Sequence, residues 1–238
     1  MSANRLESSA VLPDEAHWIP LSDLMTGLMA MFLLIAVTFM MHVEAEAFNV
    51  RQVAVAYSET KDALFADLQA EFKNDLPKWK AQIIQEDLSV RFTEPEVLFA
   101  TGSSELKPEF REILSNFFPR YVRILTSARY KGSISEVRIE GHTSSGWIGA
   151  TTPAEAYFRN MELSQARTRS ALTYALSLPE VNDQREWLRR NLTANGLSSS
   201  HPIIDASGAE DAARSRRVEF KVRTDAETRI EKILEVSK

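Results

Sequence analysis

Asp23 stands at the mouth of Leu24 to Met41 (LMTGLMAMFLLIAVTFMM), eighteen residues without a charge. Extended to Pro20 and Val43, this run makes a helix of about 36 Å, long enough to span a bilayer. A carboxylate placed in hydrocarbon costs about 2.5 to 3.5 kcal/mol on insertion scales, so an acid in such a segment reads as functional: a carrier that loads a cation on one side and releases it on the other. Thr26, one turn on, offers a hydroxyl to that carboxylate or to the cation. Asp23, Gly27, Ala30, Leu34 and Val37 share one helical face, whose small residues permit close approach of partner helices. Two plainer readings stand beside this one: Ser22 or Asp23 caps the helix, and Thr26 bonds back to a helix carbonyl.

A second group gathers around Arg167. A planar guanidinium can grip a carboxylate through two parallel bonds. Asn160, Leu163 and Ser164, three and four apart, can present an amide, an apolar shelf and a hydroxyl on one helix face. An isolated arginine on a helix is more commonly a surface charge. His142 and Thr143 close an alternating segment, where the histidine reads as structural. Arg216 and Arg217 alternate along a late strand, one toward the core edge and one toward solvent, and Arg214 either recruits an anion or is simply solvated.

Other chemistry is excluded early. The 238 residues contain no cysteine, which removes disulfides, thiolate nucleophiles and cysteine-held metals. Four scattered histidines (17, 42, 142 and 201) make no metal-binding spacing, and no resident cofactor or metal is expected. Net charge −5 with a pI near 5.5 argues against a duplex-DNA surface, so no nucleic-acid partner is expected. Ser144, Ser145 and Ser164 have no evident His/Asp triad, and no carboxylate pair is indicated, so the chain does not read as an enzyme.

These residues need elements to hold them. Residues 1–19 read as a short N-terminal segment and 20–43 as an uncleaved membrane helix, with Trp18 at the interface and Pro20 in the first turn. Ala45-Glu46-Ala47 has the form of a cleavage site, but the apolar run exceeds the 7 to 15 residues typical of a signal peptide. Arg5 and Arg51 balance across the helix, so basic residues do not set its orientation. Residues 44–87 read as a helical linker with Val43, Val50, Tyr57 and Leu64 seven apart, flanked by Ala47, Ala54 and Leu68. This is either a pairing seam interrupted by Lys61 or one amphipathic helix lying on its own domain; Pro77 should break it. Residues 88–224 read as a mixed α/β domain: strands at 88–92, 97–99, 136–143 and 216–223, helices at 107–126 and 163–178, and a third helix ending at 187–192. A charged amphipathic tail, 225–238, follows.

The motifs Gly141-His142-Thr143-Ser144, Asn160-Met161-Glu162-Leu163-Ser164-Gln165-Ala166-Arg167 and Ser215-Arg216-Arg217-Val218 resemble, in order, the G-H-T-D, N-x-x-L-S-x-x-R and N-R-R-V signatures of the OmpA/MotB-type peptidoglycan-binding domain. The segment Val97 to Phe110 resembles that family's entry. The N-x-E-L-S form and the long stretch Ser145 to Arg159 are similar to the MotB branch. The resemblance implies an OmpA-like β/α/β/α/β domain whose ligand is peptidoglycan, held by Arg167, Asn160, Leu163, Ser164, Thr143 and Ser144. In the family, the arginine grips the diamino acid's carboxylate and the aspartate its ammonium. Here that aspartate is Ser144, which implies weaker wall affinity, and the late asparagine is Ser215.

One membrane helix with an acid near its start, followed by this domain, resembles the B subunit of ion-driven stators. Within that group Pro20 to Met29 is similar to the MotB-like component of Zorya antiphage defence systems, and the longer basic N-terminal tail of flagellar relatives is absent. The resemblance implies a bacterial inner-membrane protein with its N-terminus in the cytoplasm and its domain in the periplasm. It also implies a homodimer within a ring of MotA/ExbB-like membrane subunits, with Asp23 and Thr26 on the path of a proton or sodium ion. A flagellar-type stator subunit and a passive tether between membrane and wall are the alternatives.

Overall fold

The computed structural model describes residues 18–93 and 98–225. Residues 1–17, the tail from residue 226 and Val97 of the expected second strand lie outside them. The chain forms two compact units, residues 1–52 and 53–238. Helix α1, Trp18–Phe72, contributes to both.

In the first unit, Ser22–Phe48 is long and apolar enough to cross a membrane, and its large apolar side chains, Leu24 to Met41 among them, face outward. Ser22 and Asp23 fall in the second turn of α1, well beyond the one- or two-residue ambiguity of a helix end, so neither is its N-cap.

The second unit begins earlier than residue 88, where the sequence places the domain boundary. Leu64, Leu68 and Phe72, spaced to fall on one stripe of α1, are fully buried in the domain core. Lys61, expected to interrupt a pairing seam, donates instead to the Glu86 carbonyl. Arg120 ties the end of α1 down: Nε lies 2.7 Å from Glu71 Oε1, Nη1 lies 2.8 Å from Asp75 Oδ2, and the guanidinium sits 4.8 Å from the Phe72 ring centre. For residues 64–72 the single-helix reading is therefore the right one. Pro77 marks the break as expected, at the start of the short α2 (Leu76–Trp79).

A five-stranded sheet follows, in the order β1-β2-β5-β3-β4. Its strands are β1 (Ala81–Ile84), β2 (Ser89–Phe92), β3 (Ile134–His142), β4 (Leu192–Gly196) and β5 (Arg217–Thr224). All neighbours are antiparallel except β3 and β4. β1 and β4 were not visible in the sequence. Phe99 forms a single bridge to Leu106 rather than a strand. Helix α3 (Pro108–Leu125) buries Phe110, Ile113, Leu114, Phe117 and Tyr121, and Phe117 packs within 5.3 Å of the Phe72, Phe92 and Phe220 ring centres. Rings from α1, β2, α3 and β5 thus share one cluster.

Helix α4 carries most of the site. It spans Pro153–Ser177, ten residues earlier than expected, because Thr152 caps it by accepting from the Glu155 N–H at 3.1 Å and Pro153 fits its first turn. The short helix α5 (Arg185–Asn191) leads into β4, and α6 (Ala212–Ser215) into β5. Two glycines let α4 sit on the sheet. Gly141 and Gly196 are partners at the ends of β3 and β4. A Cβ on Gly196 would lie 2.2 Å from the Gln165 backbone N, and one on Gly141 2.6 Å from Thr168 Cγ2. Backbone cannot yield as a side-chain tip can, so Gly196→Ala should destabilise the domain by about 3 kcal/mol and Gly141→Ala by less. Thermal unfolding of the two variants checks the order; equal, small losses would show that α4 is free to shift.

Candidate functional site

The residues that the sequence singles out converge where α4 crosses the ends of β3 and β5. Thr143, Ser144, Asn160, Leu163 and Arg167 line one cavity of about 470 Å³, together with Phe99, Thr101, Gly102, Gly146, Trp147, Ile148 and Arg216.

Arg167 projects from α4 and is 9% exposed. Its Nε donates to the Ser103 carbonyl at 2.9 Å and Nη2 to the Ala100 carbonyl at 3.3 Å, while the guanidinium sits 4.9 Å from the Phe99 ring centre. Among the described residues no carboxylate pairs with it. Burial, and then the positive charge of Arg216, push its pKa down to about 10, which leaves it charged at neutral pH. The site therefore holds a desolvated cation oriented by two backbone carbonyls and short of an anion.

Asn160 works on the neighbouring loop. Its Nδ2 donates to the carbonyls of Ser144, at 3.0 Å, and Gly146, at 3.3 Å, so it fixes the turn that carries Ser144 and Trp147. Thr143 is 4% exposed and is among the cavity's lining residues; its buried hydroxyl has no hydrogen-bond partner. Such an orphan costs free energy unless something fills the site.

Ser164 departs from expectation. It is fully buried, donates to the Met161 carbonyl at 3.0 Å, accepts from the Ser198 N–H at 3.1 Å and does not line that cavity. The reason is helical phase: four residues after Asn160 the chain faces the sheet, where Gly141 and Gly196 make room. Its role is to hold the β4 end against α4.

Of the late arginines, Arg217 is buried against Glu219 and donates to the carbonyls of His201 and Ser215. Arg216 is half-buried and lines the cavity, whereas Arg214 is exposed and does not. His142 is buried below, its Nε2 3.7 Å from Glu140 Oε2 and neither ring nitrogen hydrogen-bonded, and burial lowers its pKa. Glu140, His142 and Glu219 lie together, but Glu219 is also held by Arg91 and Arg217, which makes the group part of an ion-pair network. Sequence reasoning missed Phe99, Thr101, Gly102, Gly146, Trp147 and Ile148. The only signal available for them was the Gly-containing loops on which five of these six lie.

In the first unit, Asp23 and Gly27 lie on one face of α1 with Leu24, Leu28 and Met31. The Thr26 hydroxyl donates to the Ser22 carbonyl at 2.8 Å, the back-bonded arrangement, and leaves its oxygen lone pairs available.

The OmpA family model matches residues 98–216. Over 222 residues the chain is 47% identical to the Zorya protein ZorB of Escherichia coli (strain Crooks), an alignment covering 93% of this chain and 94% of that protein. The chain belongs to the ZorB family. A MotB-like protein from Desulfovibrio vulgaris shares the fold, with a TM-score of 0.51 at 24% identity over 73% of this chain and 94% of that one. This ZorB-family chain thus joins one membrane-length helix to an OmpA-type domain.

Proposed function

We propose that this chain is the wall-anchored B subunit of an inner-membrane, ion-driven stator-type motor in a Zorya antiphage system. Two copies stand inside a ring of MotA/ExbB-like, ZorA-like membrane subunits. Their N-termini are cytoplasmic and their OmpA-type domains grip peptidoglycan in the periplasm. Asp23 carries the cation, a proton or sodium ion, with Thr26 beside it.

The observation that carries this reading is the place of Asp23: a carboxylate in the second turn of an apolar helix, where capping does not explain it. A membrane potential of 100 mV supplies about 2.3 kcal/mol per charge moved, enough to bias one packing of helices over another. The wall half rests on Arg167 and the OmpA-family match. The deciding measurement is phage protection by Asp23→Asn.

The dimer has its own test. Leu64 and Leu68 are taken by the domain core, which leaves residues 43–57 for pairing; within them Val43, Ala47 and Ala54 are exposed. Single cysteines at Val50 or Tyr57 should crosslink into homodimers in native membranes. Capture of monomers alone would remove the pairing.

A further inference from the structure

The charges lining the cavity are all of one sign. Arg167 and Arg216 are its ionisable side chains, no aspartate or glutamate lines it, and among the described residues the Arg216 guanidinium has no side-chain hydrogen bond or ion pair. The nearby Glu210 carboxylate is engaged by the Ser145 N–H and hydroxyl and lies outside the lining. A carboxylate entering this space meets two guanidiniums. An ammonium entering with it meets the same two guanidiniums, loses its water and gains no counter-charge. The polar lining residues Thr101, Thr143 and Ser144 bring hydroxyls, which can partner an amide N–H but supply no counter-charge to an ammonium. Phe99, Trp147 and Leu163 give the remaining wall an apolar surface suited to an acyl chain.

We infer that the pocket selects a carboxylate whose neighbouring amine is acylated, and discriminates against the zwitterion with a free ammonium. This rests on the wall-binding reading and names the part of the wall concerned. At a peptide cross-link the diamino acid's second amine is tied up as an amide while the carboxylate on the same carbon stays free. The partner is then the cross-linked stem peptide, and Ser144 sets the preference by leaving out an anion.

The test uses the full-length chain in detergent and two probes: meso-diaminopimelate acetylated only on the amine of its L-centre, and the same molecule acetylated on both amines. Titration calorimetry should show the doubly acetylated form binding at least about tenfold more tightly, the effect of one unmet charge. Ser144→Asp should shift that ratio about tenfold toward the free amine. Equal or tighter binding of the free-amine probe by the parent chain overturns the inference, as does failure of both probes to bind. Pelleting with intact sacculi is read in parallel. Its failure removes the wall reading, while a retained preference between the probes would still support the selectivity of the pocket.

Discussion

On the proposed motor reading, cells carrying Asp23→Asn are expected to lose phage protection completely while the variant subunit still inserts and assembles. Asparagine keeps the size and most of the hydrogen bonding of aspartate and removes only the titratable group. If the side chain merely capped a helix, the exchange would cost a few tenths of a kcal/mol at most, and Asp23 lies a full turn inside α1 in any case. A residue that carries the ion has no such tolerance. Asp23→Glu should rescue little, because one extra methylene moves the carboxyl by about 1.5 Å in a packed ring, and sites built on position do not absorb such shifts. Plaque counts at equal membrane expression measure the effect. Full protection by Asp23→Asn would leave a tether between membrane and wall and remove the motor.

The second large effect belongs to Arg167. Arg167→Ala should abolish retention of the chain on sacculi, a loss of at least about a hundredfold, since truncating one partner of a buried charge pair costs about 2 to 5 kcal/mol. Part of the damage will be structural. The Ser103 carbonyl loses its Arg167 donor, while the Ala100 carbonyl keeps the Ser103 N–H at 3.0 Å, a loss of about 1 to 2 kcal/mol of domain stability. Arg167→Lys separates the two effects: an ammonium can satisfy a carbonyl but cannot fork to a carboxylate, so stability should return in part while wall retention does not. Retention by a well-folded Arg167→Ala variant would show that the cavity is not the wall site.

Local pattern revealed the elements that bury one face against a neighbour. Alternation in residues 136–143 and 216–223 marked two strands, although β5 proves buried on both faces because Arg217 and Glu219 pair inside, and Phe110, Ile113, Leu114 and Phe117 trace the stripe of α3. β4 was hidden because LTANG carries little strand propensity; its place comes from pairing with β3 and from Gly196 meeting α4. β1 was hidden for a related reason, as four residues at a sheet edge within a stretch whose charges suggest helix. At the site, Thr143, Ser144, Asn160, Leu163 and Arg167, grouped by motif, line one cavity. The motif misplaced Ser164, because motif membership does not report which way a helical position faces. Phe99, Trp147 and Arg216 come from three distant segments, and only the tertiary fold makes them neighbours.

The strand order carries a consequence for how this protein is made. β5, the last strand to leave the ribosome, lies between β2 and β3. Until residues 217–224 arrive, β1-β2 and β3-β4 are two ribbons with no backbone partner between them, each exposing an edge that β5 will later cover. The contacts that close the sheet span about 130 residues at β2, so loop-closure entropy must be met late and all at once, a topology that folds slowly. Until residues 217–224 are made the sheet stays open, so a nonsense mutation between β4 and residue 217 should yield an aggregation-prone or degraded product rather than a folded, shortened domain.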